Sequence, residues 1–429
     1  MRAEAALDMA VDEGSPGRTR PLAALRHRNY RLYWTGQCVS VIGTWMQNVA
    51  QSWLVLELTN SAFLLGLVGV AQFAPILLFS LFGGVIADRL PRRRLIVLTQ
   101  SAMMVLAFVL GILVLTGKVR YTHVVVLAAL MGTLNAVDMP ARQSFIIELV
   151  GRRDLMNGIA LHSSLFNTAR VVGPALAGLV IARFGLAVCF LVNAASYVAV
   201  LVQLLRLRLP AGRERPVGGG PVIEEIAAGL RYIRGAPDIL LPILLLGMVS
   251  ILAVNFNVLV PVFAREVLHR GAQGFGFLLA AHGLGALVGA LTLAWLSHAG
   301  PSRKLVLGGI LGLCVAQLAL AAVRSYAAAV ALLALAGWSM ILFVGTVNTS
   351  VQLAADDRFR GRVMSVYTLV FIGVTPVGNF LAGSVAHLRG APVAFAAGAA
   401  LALLGTACAV LWRRAAKGGK RSATRKGGA

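Results

Sequence analysis

Acidic residues are scarce in this chain. It holds 16 Asp and Glu against 39 Lys and Arg in 429 residues. Only 13% of its residues are charged, where a water-soluble globular domain carries about 25%. The four cysteines, Cys38, Cys189, Cys314 and Cys408, each lie inside an apolar run without metal-ligand spacing. That excludes a disulfide scaffold and gives no metal site. No Gly-x-x-x-x-Gly-Lys-Ser/Thr stretch occurs, so a nucleotide-driven machine lacks its phosphate cradle. No nucleophile or metal-ligand set converges, so the chain does not read as an enzyme and no cofactor is expected. A receptor or scaffold would need a sizeable soluble domain or long tail, and neither is evident. Residues 1–29 lack the apolar core of a signal peptide and read as a cytoplasmic tail. The net charge of +23 does not point to nucleic acid, because the basic residues lie in short loops and tails.

What the chain has in excess is apolar length. It is 58% hydrophobic, with a mean hydropathy of +0.81. Twelve apolar runs, each able to cross a bilayer as a helix, fall at about 33–57, 62–87, 95–116, 121–139, 158–182, 186–206, 239–263, 274–298, 305–323, 327–352, 362–386 and 391–412. The expected fold is therefore an all-α membrane protein. Basic residues concentrate in alternate loops, 88–94, 140–157, 207–238, 299–304 and 353–362, and in both tails. The opposite loops hold only Lys118, Arg120, Arg183, Arg265, Arg270, Arg324 and Arg389. This asymmetry predicts that both termini lie in the cytoplasm.

The longest loop divides the chain into a tail (1–32), a six-helix bundle (33–206), a linker (207–238), a second six-helix bundle (239–412) and a basic tail (413–429). Within the linker, Val222, Ile226, Leu230 and Ile233 share one helical face after Pro221, predicting an amphipathic helix on the inner membrane surface. The halves repeat. "ARVVGPALAG" (169–178) matches "VTPVGNFLAG" (374–383) at an offset of 205, and Gly66, Gln72 and Arg94 match Gly276, His282 and Lys304 at 210. Two parallel repeats imply bundles related by an axis along the membrane normal, with a site between them at the midplane.

Six plus six spans, a central loop and "GGVIADRLPRRR" (83–94) after the second span resemble the major facilitator superfamily. The motif residues are Gly84, Asp88, Arg89, Arg92, Arg93 and Arg94, with Pro91 where the family has Gly. The stretches "RHRNYRLYWTGQCVSVIGTWMQ" and "MPARQSFIIELVGRRDLMNGIALHSSLFNTARVVGPALAG" resemble the branch containing the enterobactin exporter and macrolide efflux proteins. The resemblance implies a cytoplasmic gate in which Asp88 faces the N-terminus of the eleventh span, near Gly361 to Ser365, and Arg92 pairs with Asp138. In the second half the equivalent of Asp88 is His298, so only one latch is expected. Gly173, Pro174 and Gly178 resemble the antiporter motif of the fifth span, with Ala169 and Ala177 in place of Gly. Small residues there suit close helix packing.

The polar inventory of the spans points to a pathway. Ser40, Thr44, Gln47 and Gln51 line one face of the first span, with Asn48 beside them; a polar face in lipid must meet protein or water. His162, Asn167 and Arg170 follow in span 5, Asn255 and Asn257 in span 7, His282 in span 8, and Thr346, Asn348 and Thr349 in span 10. The candidate substrate-binding set is Thr44, Gln47, Asn48, Gln51, Asn167, Arg170, Asn255, His282 and Asn348. Arg170 lies deep in span 5, where a charge costs at least about 2.5 kcal/mol to insert, and no acid lies near the centre of any span. Two readings stay open: it holds an anionic or acceptor-rich substrate, or it is structural and bonds to carbonyls and amides. The resemblance implies a proton-driven exporter of a small amphipathic or siderophore-like molecule, with an importer or a lysolipid flippase as alternatives. A coupling proton is expected, with Asp138, His162 and His282 as candidate carriers, and the bilayer of a bacterial inner membrane as the setting.

Overall fold

The computed structural model describes residues 22–151, 153–208, 222–296 and 300–426. Readings that fall on 1–21, on 209–221 with Pro221, and on His298 lie outside the described residues, as do the side chains of Asp88, Arg89, Val222 and Ile226. After a short 3-10 turn at Ala23–Arg26, fifteen α-helices follow: α1 Arg28–Thr59, α2 Ala62–Arg89, α3 Arg92–Leu115, α4 Tyr121–Val150, α5 Leu155–Phe184, α6 Leu186–Arg206, α7 Val222–Gly235, α8 Pro237–Ala253, α9 Phe256–Glu266, α10 Ala272–Trp295, α11 Arg303–Ala322, α12 Tyr326–Ala354, α13 Asp357–Gly373, α14 Thr375–Arg389 and α15 Ala391–Lys426.

Among the described residues, eleven spans are long and apolar enough to cross a membrane, counting α8 with α9 and α13 with α14 as one each. The twelfth is α1, which falls short on hydropathy because of its polar stripe. That stripe is turned largely inward, with Ser40, Gln47 and Gln51 buried. Tight turns join the spans. Asn60 adopts φ 47°, sends its N–H to Leu56 O, and hands over to Ser61, whose hydroxyl accepts from the Leu64 N–H at 3.3 Å to cap α2.

Four expectations change. The loop expected at 140–157 is mostly helix, because α4 runs through Pro140 to Val150. Pro140 frees the Ala136 carbonyl, and Gly83 of α2 packs directly against that oxygen. The seventh and eleventh spans are each broken near the middle, at Val254–Asn255 and at Val374 before Pro376. Proline fixes its own φ and disfavours helix in the residue before it, so α14 starts afresh there. The linker helix α7 is seated on α13: Tyr232 stacks on Phe359 at 4.5 Å, and its hydroxyl accepts from the Asp356 N–H at 3.3 Å. Ile233 is buried there and Leu230 points outward. Finally, helix continues beyond the last apolar run to Lys426.

The helices group as α1–α6 and α8–α15, joined by α7. Between the groups, the extensive contacts are α5 with α10 and α2 with α14. The repeat explains them. A Cβ on Gly276 would lie 2.5 Å from Pro174 O and 2.9 Å from the Gly178 Cα; one on Gly66 would lie 2.6 Å from Asn379 O and 3.2 Å from the Gly383 Cα. Gly66 corresponds to Gly276, Gly178 to Gly383 and Pro174 to Asn379, so the two crossings are the same contact made twice. Only glycine leaves room for backbones this close.

Candidate functional site

Both glycine crossings sit toward the end of the bundles opposite the linker. They close that far end along two seams. At the linker end the bundles part. A cavity of 390 Å³ opens between α2 and α4 on one side and α13 on the other, lined by Ile76, Leu77, Ser80, Asn135, Met139, Gln143, Arg362 and Leu369 among others. A Cβ on Gly84 or on Gly361 would meet nothing within 4 Å. Neither glycine is therefore a packing contact between α2 and α13.

Between the two ends, a smaller cavity of 100 Å³ lies at the helix midpoints, bounded by Trp45, Arg170, Pro174, Val254, Phe256, Asn257, Leu279, His282 and Met340. It joins both bundles, and the breaks of the chain shape it. The α8–α9 break brings Val254, Phe256 and Asn257 to its wall. Pro174 frees the Arg170 carbonyl, and Gly283 of α10 approaches that oxygen so closely that a Cβ would lie 2.6 Å away. His282 is buried against Phe256, with ring centres 4.3 Å apart, and its Nε2 has no hydrogen-bond partner. Among the described residues Arg170 has no ion-pair or hydrogen-bond partner, and no acid lines the cavity. A guanidinium has five donors and can hold an anion or an acceptor-rich group by forked hydrogen bonds.

The other candidates divide. Asn48 and Gln51 line a 50 Å³ cavity with Gln72, Asn257 and Asn379, and Gln51 Nε2 donates to Gln72 Oε1 at 3.3 Å. Gln47 instead accepts from Asn193 Nδ2 at 2.6 Å and ties α1 to α6. Thr44 donates to Ser40 O and Asn167 to Ser163 O, each back into its own helix. Asn255 is buried at the helix break against Gly378, so its neighbour Asn257 takes the cavity-facing place. Asn348 accepts from Gln352 Nε2 at 2.6 Å and lies apart from the midpoint cavity. Gly173 packs on Trp45 of α1 and Gly178 on Gln273 of α10.

The expected Arg92–Asp138 pair is not formed. Arg92 Nη1 lies 3.6 Å from Glu148 Oε2. Asp138 is buried and served from elsewhere: Thr99 Oγ1 donates at 2.6 Å, Gln100 Nε2 at 3.1 Å, and Arg142 Nε lies 2.5 Å from Oδ2. Arg142 also donates to Gln37 Oε1 at 2.6 Å. The reason is distance along the helix. Asp138 and Arg142 are one turn apart on α4, so the acid finds its cation without leaving its own helix. That spacing was present in the sequence; the Arg92–Glu148 pair, between α3 and the part of α4 expected to be loop, had no local signal.

Comparison with known proteins follows the same lines. Residues 19–424 match the family model described as transmembrane secretion effector. The chain is 28% identical over 365 residues to the multidrug efflux pump Tap of Mycolicibacterium fortuitum, covering 81% of this chain and 87% of that one. It is 27% identical over 386 residues to the enterobactin exporter EntS of Shigella boydii serotype 4, covering 88% and 90%. Among solved structures, a bacterial homologue of the human lysosomal transporter Spinster superposes with a TM-score of 0.68 at 16% identity, covering 91% of this chain and 97% of that one.

Proposed function

The chain belongs to the transmembrane secretion effector family, with the major facilitator fold, and on that premise we propose that it is a proton-driven exporter of a small amphipathic molecule carrying an anionic or acceptor-rich group, siderophore-like in chemistry. It works by alternating access across a bacterial inner membrane, with both termini in the cytoplasm. In this orientation the 390 Å³ cavity opens to the cytoplasm and the two glycine seams close the outside. Substrate enters from the linker end, meets Arg170 at the midplane, and is released outward when the seams part and the α2–α13 cleft shuts. In the shut state Asp88 receives the N-terminus of α13, where a carboxylate complements the helix dipole.

The observation that carries the substrate class is Arg170, a guanidinium in a cavity between the bundles with no acid beside it. Relatives named as exporters of a siderophore and of drugs support the direction. For the coupling proton, Asp138 is buried in a full set of donors, whereas His282 shares the cavity with Arg170 and has a free ring nitrogen. His282 is the better carrier, because binding an anion at Arg170 changes the charge its imidazole feels.

The test is made on purified protein. Arg170→Lys keeps the charge but loses the planar fork, so affinity for a catechol carboxylate such as 2,3-dihydroxybenzoate falls; Arg170→Gln lowers it further. Melting temperature, read on the same samples, stays near that of the unmodified chain. A structural arginine gives the opposite pattern, with stability lost in proportion to transport. Intact affinity in a stable Arg170→Gln protein overturns the binding role.

A further inference from the structure

The two seams are equivalent by the internal repeat, yet their outer corners differ. At the α2–α14 corner the space is filled. Phe63 meets Phe380 edge-on at 5.8 Å and lies 6.3 Å from His387, and Ser61 Oγ lies 3.5 Å from His387 Nδ1. At the repeat offsets, Ser61, Phe63, Phe380 and His387 correspond to Gly271, Gln273, Ala175 and Ala182. The smaller set leaves the α5–α10 corner hollow: a 660 Å³ cavity opens there, with Arg270, Tyr326, Trp53, Glu57 and Phe277 in its walls.

We propose that this hollow is an exit vestibule that holds aromatic or amphipathic anions, and that the transported molecule leaves through the α5–α10 seam and not through its repeat counterpart. Arg270 lies over the Tyr326 ring, 5.1 Å from its centre, and has no acidic partner among the described residues. The facing carboxylate, Glu57, is held by the Trp53 indole N–H at 2.7 Å, and Trp53 in turn stacks on Phe275 at 5.9 Å. A cation on an aromatic platform attracts the acid group of a guest, and Phe277 gives its apolar part a wall. Glu57 in the same space weakens the hold, which suits release. The seam therefore carries Arg170 on the inner side of the Gly178–Gly276 crossing and Arg270 on the outer side, so an anion passes from one guanidinium to the next as the crossing opens.

This rests on the anionic-substrate reading above, and the experiment separates the two. The chain is freed of Cys38, Cys189, Cys314 and Cys408, given Gln273→Cys at the edge of the hollow, labelled there with an environment-sensitive fluorophore, and placed in nanodiscs. Naphthalene-2-sulfonate is titrated. Arg270→Gln weakens its binding roughly three- to ten-fold and Arg270→Lys partly restores it, as expected for a charge-assisted contact. Glu57→Gln, which keeps an oxygen for Trp53, tightens binding roughly two- to five-fold by removing an exposed like charge. Arg170→Gln leaves this titration unchanged even where it abolishes midplane binding. For the route, a bulky thiol reagent added from outside slows export by an Ala182→Cys chain more than by a Phe63→Cys chain. Unchanged titrations in both Arg270→Gln and Glu57→Gln overturn the vestibule, and equal or reversed inhibition at the two corners overturns the route. If Arg170→Gln still exports normally, the midplane reading fails while these two results stand on their own.

Discussion

Asp138 and Arg170 are the two deep charges whose surroundings differ most. Asp138 is enclosed by Thr99, Gln100 and Arg142, with Arg142 passing on to Gln37. Removing one partner of a buried ion pair leaves the other uncompensated, at a cost of about 3–5 kcal/mol. Asp138→Asn should therefore lower the melting temperature sharply and reduce the yield of folded protein, whereas Arg170→Gln should not. An Asp138→Asn protein that melts like the unmodified chain would show that the network is not structural. The i, i+4 spacing of Asp138 and Arg142 was legible in the sequence, but the resemblance led to Arg92 instead. The isolation of Arg170 was legible for the opposite reason: the sequence put no acid near a span centre, and although the longer α4 brings Asp138 near the middle of its helix, Arg142 takes it up. Asn255 and Asn257 could not be told apart, because which of them faces the cavity depends on a helix break that leaves only a local asparagine–proline pattern in the sequence.

Helix–helix approach is set by glycines and prolines acting in pairs. Pro140 and Pro174 each free the carbonyl four residues back, and in each case a glycine of another helix, Gly83 or Gly283, comes up against that oxygen. The spans were legible from apolar length alone, because bilayer thickness fixes how long an apolar run must be. Their continuity was not, since Pro140 and Pro174 sit inside unbroken helices while Pro376 marks a break. The seams were half legible: the repeat offsets paired Gly66 with Gly276 but could not say that Gly276 touches Gly178. If these crossings close the outside, Gly276→Leu should hold the α5–α10 seam apart. A thiol at Leu279→Cys, in the midpoint cavity on the inner side of the crossing, should then label faster from outside, and expression should persist. Unaltered labelling in a folded Gly276→Leu protein would mean the crossing is not the barrier. Arg265 adds a second tie at this end, donating from α9 to Leu56 O at the C-terminal turn of α1, 2.5 Å away, where the helix dipole favours a cation.

At the scale of the molecule, two bundles are closed at one end by paired seams and open at the other, with Arg170 in the midpoint cavity between them. The basic loops predict its orientation. Cysteines at Lys118 and Arg324 should react with an impermeant reagent from outside, and those at Arg153 and Arg303 only from the cytoplasmic face; labelling of Lys118→Cys from the cytoplasmic face alone would invert the arrangement. The two-bundle plan was legible in the repeat, while the seating of α7 on α13 was not, because Tyr232 and Phe359 are brought together only by the fold. The central claim is that this assembly drives an anionic amphipathic molecule outward at Arg170 at the expense of a proton gradient. The direct measurement is uptake of a panel of catecholate, carboxylate and cationic amphiphiles into inverted membrane vesicles, with and without an imposed proton gradient, by the unmodified and Arg170→Gln proteins. Gradient-dependent uptake of anionic compounds, lost in the Arg170→Gln protein, is the expected result. Uptake confined to cationic compounds, or unaffected by Arg170→Gln, would contradict it.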